Sequence, residues 1–203
     1  MIVGMAPTDL STVRWPRTTP RLAIRPFMRE DTEPLWQVRR KDSVATWIYS
    51  TATDYDAFAV MMADPPRMAK TLVIELDGVV IGDLMIAPED AWGQFEVADR
   101  AKGTQAELGW VIDPALEGHG YATEAVRELI RLCFEDLGMR RVIAQCFAAN
   151  EASWRLMERV GMRREAYNVA DSLHRSGEWM DGIVYALLAD EWLGLPAEHA
   201  KQT

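Results

Sequence analysis

Gly118-His119-Gly120 runs directly into a helix-forming segment that starts at Tyr121, and this is a place where main chain can hold phosphate. The first turn of a helix leaves N–H groups without intrahelical acceptors and carries the positive end of the aligned peptide dipoles. Glycine at 118 and 120 permits positive φ and puts no Cβ in a ligand's way. No Lys or Arg lies between Asp113 and Thr123, so an anion bound there is held mainly by backbone. The alternative is a helix entry that needs two glycines for its own turn.

Spacing tests the nucleotide motifs that share this chemistry. A dinucleotide fingerprint requires a third glycine at position 123, where Thr123 stands, so a nicotinamide-dependent oxidoreductase lacks its signature. GxxxxGK[ST] is absent as well. Cys133 and Cys146 form no CxxC pair and read as reduced core thiols, and His174 and His199 have no ligand at metal-binding spacing. No metal is expected.

The elements that must position the turn follow from periodicity. Gln105–Ile112 alternates as a half-buried strand that feeds it, and apolar residues at helical spacing carry a helix from Tyr121 to Leu137. Arg141–Phe147 is the next strand, and Asn150 caps a helix that reaches Val160. Upstream, Arg21–Phe27 reads as a strand, Thr32–Arg40 as a helix, and Asp54 caps a second helix through Met62. Val44–Tyr49 is ambiguous between helix and strand. Lys70–Leu76 and Val79–Ile86 form a hairpin across Asp77-Gly78, the pair a two-residue turn demands. Glu89–Gly103 is expected to be an acidic loop, and Asp171–Met180 a loop between two closing strands, Arg163–Val169 and Ile183–Leu188. An antiparallel start followed by strand–helix alternation predicts an α/β (α+β mixed) domain with helices on both faces of a mixed sheet.

Three motifs in this order resemble the GNAT superfamily of acetyltransferases: Glu107-Leu-Gly-Trp-Val-Ile-Asp-Pro114, Gly118-His-Gly-Tyr-Ala-Thr-Glu-Ala125 and Asn150-Glu-Ala-Ser-Trp-Arg-Leu-Met-Glu-Arg-Val-Gly-Met162. Within it the chain is most similar to the branch of ribosomal-protein N-terminal (RimJ/RimL-like) acetyltransferases, over roughly residues 20 to 193. The resemblance implies a single domain whose mostly antiparallel sheet splays at a central strand pair, and acetyl-CoA as co-substrate. Its pyrophosphate would meet the amides of Gly118, His119, Gly120, Tyr121, Ala122 and Thr123. Its pantetheine arm would pair with the backbone at Val111 and Ile112. Ala115 departs from the family's Gln/Arg at the start of the turn, and His119 stands where the branch often has Lys or Arg.

The same resemblance distributes the chemistry. Glu107 matches the family's glutamate base, its other reading being an ordinary strand carboxylate, with Glu178 as the fallback. Ser153 falls most naturally to proton supply for the departing thiolate, or to helix capping. Asn150 would hydrogen-bond the pantetheine or acetyl region, or serve only as the N-cap. A backbone N–H in Gly109–Val111 would polarise the thioester carbonyl. Trp47, Trp92, Trp110 and Trp179 are the candidates for an acceptor pocket, each with a core role as the alternative.

At 203 residues, with 49% hydrophobic and 26% charged side chains, the chain is long enough for one well-packed domain. The expected division is an N-terminal arm over 1–20, the acetyltransferase domain over 21–193 and a tail over 194–203. A net charge of −9 argues against nucleic acid and mildly favours a cationic acceptor. The sequence contains no signal peptide or bilayer-spanning run, so a cytoplasmic protein with no membrane partner is expected. Two acceptors fit an N-acetyltransferase: a cationic small molecule such as an aminoglycoside-like amino sugar or polyamine, or a protein N-terminus. A non-catalytic CoA-binding module is the alternative from another class, and a homodimer stays open.

Overall fold

A computed structural model describes residues 10–194. Positions 1–9 and 195–203, with His199, lie outside the described residues. The strands are β1 (Arg17–Thr18), β2 (Leu22–Pro26), β3 (Thr71–Leu76), β4 (Val79–Glu89), β5 (Gln105–Ile112), β6 (Arg141–Phe147), β7 (Arg163–Leu173) and β8 (Trp179–Leu188). They form one sheet in the order β1-β2-β3-β4-β5-β6-β8-β7. Every neighbouring pair is antiparallel except β5 and β6, which run parallel.

The β3–β4 turn forms as its sequence demands. Asp77 and Gly78 both take positive φ, 51° and 78°, which matches the right-handed twist of the flanking strands. β5 and β6 are joined through α5 (Tyr121–Arg131), because parallel neighbours need a crossover. One further turn, Leu132–Asp136, continues α5 with wider hydrogen bonds, Leu137 N donating to Leu132 O at 3.0 Å.

Helices cover both faces. On one, α5 and α6 (Glu151–Arg159) bury Val126, Leu129, Ile130 and Leu156 against Leu84, Leu108, Val142 and Ala144. On the other, α1 (Thr32–Arg39) and α3 (Tyr55–Met62) bury Leu35 and Phe58 against Phe27 and Val73. Asp54 caps α3 as expected, accepting from Ala57 N at 2.9 Å. Val44 lies in the short α2 (Asp42–Ala45), which resolves the ambiguous stretch as helix followed by turn, and α4 (Pro65–Met68) begins on the two prolines.

In the segment 10–20, Trp15 lies against the core, Arg17 pairs with Glu128 and Asp136, and β1 extends the sheet. Two expectations are corrected. The loop expected over Asp171–Met180 is shorter, confined to 174–178, because β7 and β8 pair out to Leu173↔Trp179. Polar residues hid these two outer strand ends from periodicity. Glu89–Gly103 holds a 3-10 helix, Phe95–Ala101. Among the described residues no helix is long and apolar enough to cross a membrane.

Candidate active site

The sheet opens at its one parallel pair. β5 and β6 share only Gln105↔Arg141, Ala106↔Val142 and Glu107↔Ile143, whereas β5 pairs with β4 along its whole length, from Glu89↔Gln105 to Gly82↔Ile112. Beyond Glu107, the edge of β5 that faces β6 is therefore unpaired. A cavity of about 900 Å3 occupies the opening.

Strand alternation sets what faces it. Ala106 and Leu108 point into the α5–α6 core, so Glu107, Gly109 and Val111 point the other way, and Val111 packs with Val38 and Val44. Glu107 lines the cavity, and Gln145 Nε2 donates to its Oε1 at 3.0 Å. On β4, Asp83 faces the same space and is held by a two-pronged ion pair with Arg39, at 2.8 and 2.6 Å. The Asp83 carboxylate raises the Arg39 pKa despite the burial that opposes it.

The opposite wall comes from α6. Asn150 Oδ1 accepts from Ser153 N at 3.3 Å, the N-cap geometry its sequence position predicts, and both residues line the cavity. Cys146 lines it too, so it is not a plain core thiol. Burial pushes that thiol up, and a hydrogen bond with Ser153 opposes the shift. Cys133, by contrast, is fully buried, and burial alone raises its pKa.

The Gly118–Gly120 turn stands at the far end of β5. Gly118 and Gly120 have φ of 81° and 79°, and Gly120 is the N-cap of α5. Among the described residues, no amide from Gly118 to Thr123 donates to a backbone or side-chain acceptor. Arg21 braces the turn: its Nη1 donates to His119 O at 2.8 Å, its guanidinium lies 4.5 Å from the Tyr121 ring centre, and it pairs with Glu124 at 2.6 Å. His119 stacks on Tyr121. The Thr123 hydroxyl is buried and accepts from Arg159 Nη1 at 3.2 Å. Ile112 and the turn residues lie outside the cavity lining, whereas Val111 belongs to it.

The candidate tryptophans divide. Trp47 and Trp110 line the cavity; Trp92 and Trp179 do not, and are 89% and 63% exposed. Trp47 groups with Phe147 and His174, at ring separations of 6.3, 6.2 and 5.4 Å. His174 sits at the β7–β8 tip. Ser176 N donates to its Nδ1, so the ring's proton is on Nε2, which donates to Thr46 O at 3.0 Å. Arg175 adds bonds to Thr51 Oγ1 and Ile48 O, at 2.6 and 2.5 Å. The hairpin tip is thereby fastened to the segment after α2. Gln145, the Arg39–Asp83 pair, Arg21 and this fastening escaped sequence reasoning. Only the β5–β6 register, which aligns Glu107 with Ile143, could have pointed to Gln145.

Residues 21–163 fit the model for the acetyltransferase (GNAT) domain. The chain belongs to the GNAT family. This GNAT protein is 29% identical over 178 residues to the uncharacterized N-acetyltransferase YnaD of Bacillus subtilis, covering 86% of this chain and 98% of that one. It is 31% identical over 85 residues to the [ribosomal protein uS5]-alanine N-acetyltransferase of Escherichia coli, 42% of this chain and 43% of that one. Among solved structures, a GNAT-family acetyltransferase from Bacillus anthracis superposes with a TM-score of 0.73 at 27% identity, covering 85% of this chain and 98% of that one. GNAT acetyltransferases use acetyl-CoA, and this chain is an N-acetyltransferase of that family.

Proposed function

We propose that the chain transfers an acetyl group from acetyl-CoA to the amine of a peptide N-terminus that enters the cavity beside Glu107. The observation that carries the reading is the separation of β5 from β6 immediately after Glu107, which leaves a strand edge between the carboxylate and the anion turn. From Glu107 to Ile112 that edge runs on the order of 16 Å at about 3.3 Å per residue. It suits an extended ligand that pairs with main chain.

Acetyl-CoA supplies an activated acyl group, and this chain's residues do the rest. The free amides of Gly118–Thr123 take phosphate, with no cationic side chain in the turn. A backbone N–H in Gly109–Val111 polarises the acyl carbonyl. Glu107 takes the proton from the ammonium group, directly or through water, and Gln145 holds the carboxylate in place. The Ser153 hydroxyl returns a proton to the departing sulfur. Asn150 keeps the helix start where Ser153 can act.

The peptide reading draws support from the E. coli relative, whose name assigns it an alanine of a ribosomal protein. A cationic small amine is the second reading. In its favour, the cavity carboxylates Asp64, Asp83, Glu89, Glu107 and Asp171 outnumber the cations Arg39, Arg67 and Lys70. Incubation with acetyl-CoA and a panel of peptides, amino sugars and polyamines tests both, with products identified by mass. Acetylated peptide termini support the first reading, and acetylation of amino sugars or polyamines alone replaces it with the second.

A further inference from the structure

A second cavity, of about 350 Å3, lies between α1 and the segment that links α2 to α3. It shares Arg39, Ile48 and Ser50 with the cavity at Glu107, so a chain leaving that cavity past Ser50 enters it directly. Two features give it a definite chemistry. Trp36 and Phe58, with ring centres 5.4 Å apart, supply an aromatic wall. Arg40 supplies a guanidinium that is exposed and, among the described residues, has no carboxylate partner, whereas its neighbour Arg39 is committed to Asp83.

The linking segment adds donors. Among the described residues, no amide from Tyr49 to Thr53 donates to a backbone acceptor, although Ser50, Thr51, Ala52 and Thr53 all line this second cavity. The segment is nevertheless fixed, because Arg175 bonds Ile48 O and Thr51 Oγ1. A lone guanidinium beside free donors and an aromatic wall attracts a carboxylate carried next to apolar surface.

We infer that the second cavity is a specificity subsite for the acceptor: it takes an acidic side chain a few residues downstream of the amine that reaches Glu107. This rests on the acetyltransferase reading above. It sharpens that reading to peptides whose acidic residue stands in one register, and it reconciles a cation-attracting reaction site with an anion-attracting neighbour.

The test uses the whole chain and a set of short C-terminally amidated peptides with a free N-terminal amine and no charged side chain except one Glu, placed in turn at each position from the second onward. Steady-state acetylation should show one register with a KM about tenfold below that of the all-neutral peptide. Arg40→Ala should erase that gain while leaving kcat and the neutral peptide's KM unchanged. Ala52→Trp, which fills the cavity, should erase it too. Equal KM values across the registers, or a gain that survives Arg40→Ala, would overturn the inference. If no amine is acetylated, the parent reading fails, and the subsite is then judged by fluorescence anisotropy of the same peptides labelled at their C-termini. Register-dependent binding lost in Arg40→Ala keeps it; register-independent binding removes it.

Discussion

Gln145 Nε2 donates to Glu107 Oε1 at 3.0 Å across the strand pair that parts one residue later. In the reaction proposed, the bond leaves the second carboxylate oxygen, Oε2, for the incoming ammonium group. It also fixes Glu107 toward the cavity instead of letting it sweep the opening, as the proposed general-base role requires. Each element around it makes a separate prediction.

Ser153→Ala should lower kcat about a hundredfold and leave the acetyl-CoA KM nearly unchanged. The fold should survive, because the cap contact uses the Ser153 backbone N–H and the Asn150 side chain. Steady-state kinetics together with a thermal melt separates the two effects. An unchanged kcat would confine Ser153 to the helix start.

Gly120→Ala places a Cβ on a residue at φ 79°, 3.4 Å from Arg21 Nη2. The left-handed backbone alone costs about 1–2 kcal/mol. Acetyl-CoA affinity, measured by calorimetry, should fall by about tenfold or more as the turn shifts. Unaltered affinity would remove the turn from the binding site.

Arg39→Met leaves the Asp83 side chain, 3% exposed, without its cation. Loss of one partner from such a pair costs about 3–5 kcal/mol, and the double change Arg39→Met with Asp83→Leu should recover much of it. Urea unfolding midpoints read both variants. A single variant as stable as the parent would show that water reaches Asp83.

Acid should loosen the Gly118–Gly120 turn through Glu124. Burial favours its neutral form, but hydrogen bonds from Thr19 and Arg21 outweigh that and hold its pKa below the usual glutamate range. A depressed folded pKa contributes stability above the unfolded value and loses it as pH falls through the folded one. Glu124→Gln should therefore be less stable than the parent near neutral pH, by about 1 kcal/mol after solvent screening. The gap should close in acid below the ordinary glutamate range. Melting curves across pH check it, and a constant gap would contradict the linkage.

The parts of the fold legible in sequence were those written locally. Asp77-Gly78, the Asp54 and Asn150 caps and the Gly118-His-Gly120 turn each act within a few residues, and each formed where expected. Parts that depend on register or distant contact were not legible. Trp92 and Trp179 were drawn to the cavity by residue type, yet neither reaches its lining. Gln145 meets Glu107 only because of a three-pair parallel register, and Arg21 reaches His119 from 98 positions away. The two closing strands were legible, but their outer ends, 170–173 and 179–182, escaped because the exposed, polar end of β7 lacks a core face to impose alternation.

The most direct measurement follows acetyl-CoA binding and peptide acetylation together, in the parent protein and in Glu107→Gln. The account predicts equal acetyl-CoA affinity in both and a kcat lower by about a hundredfold or more in the variant. Equal turnover in the two would contradict it.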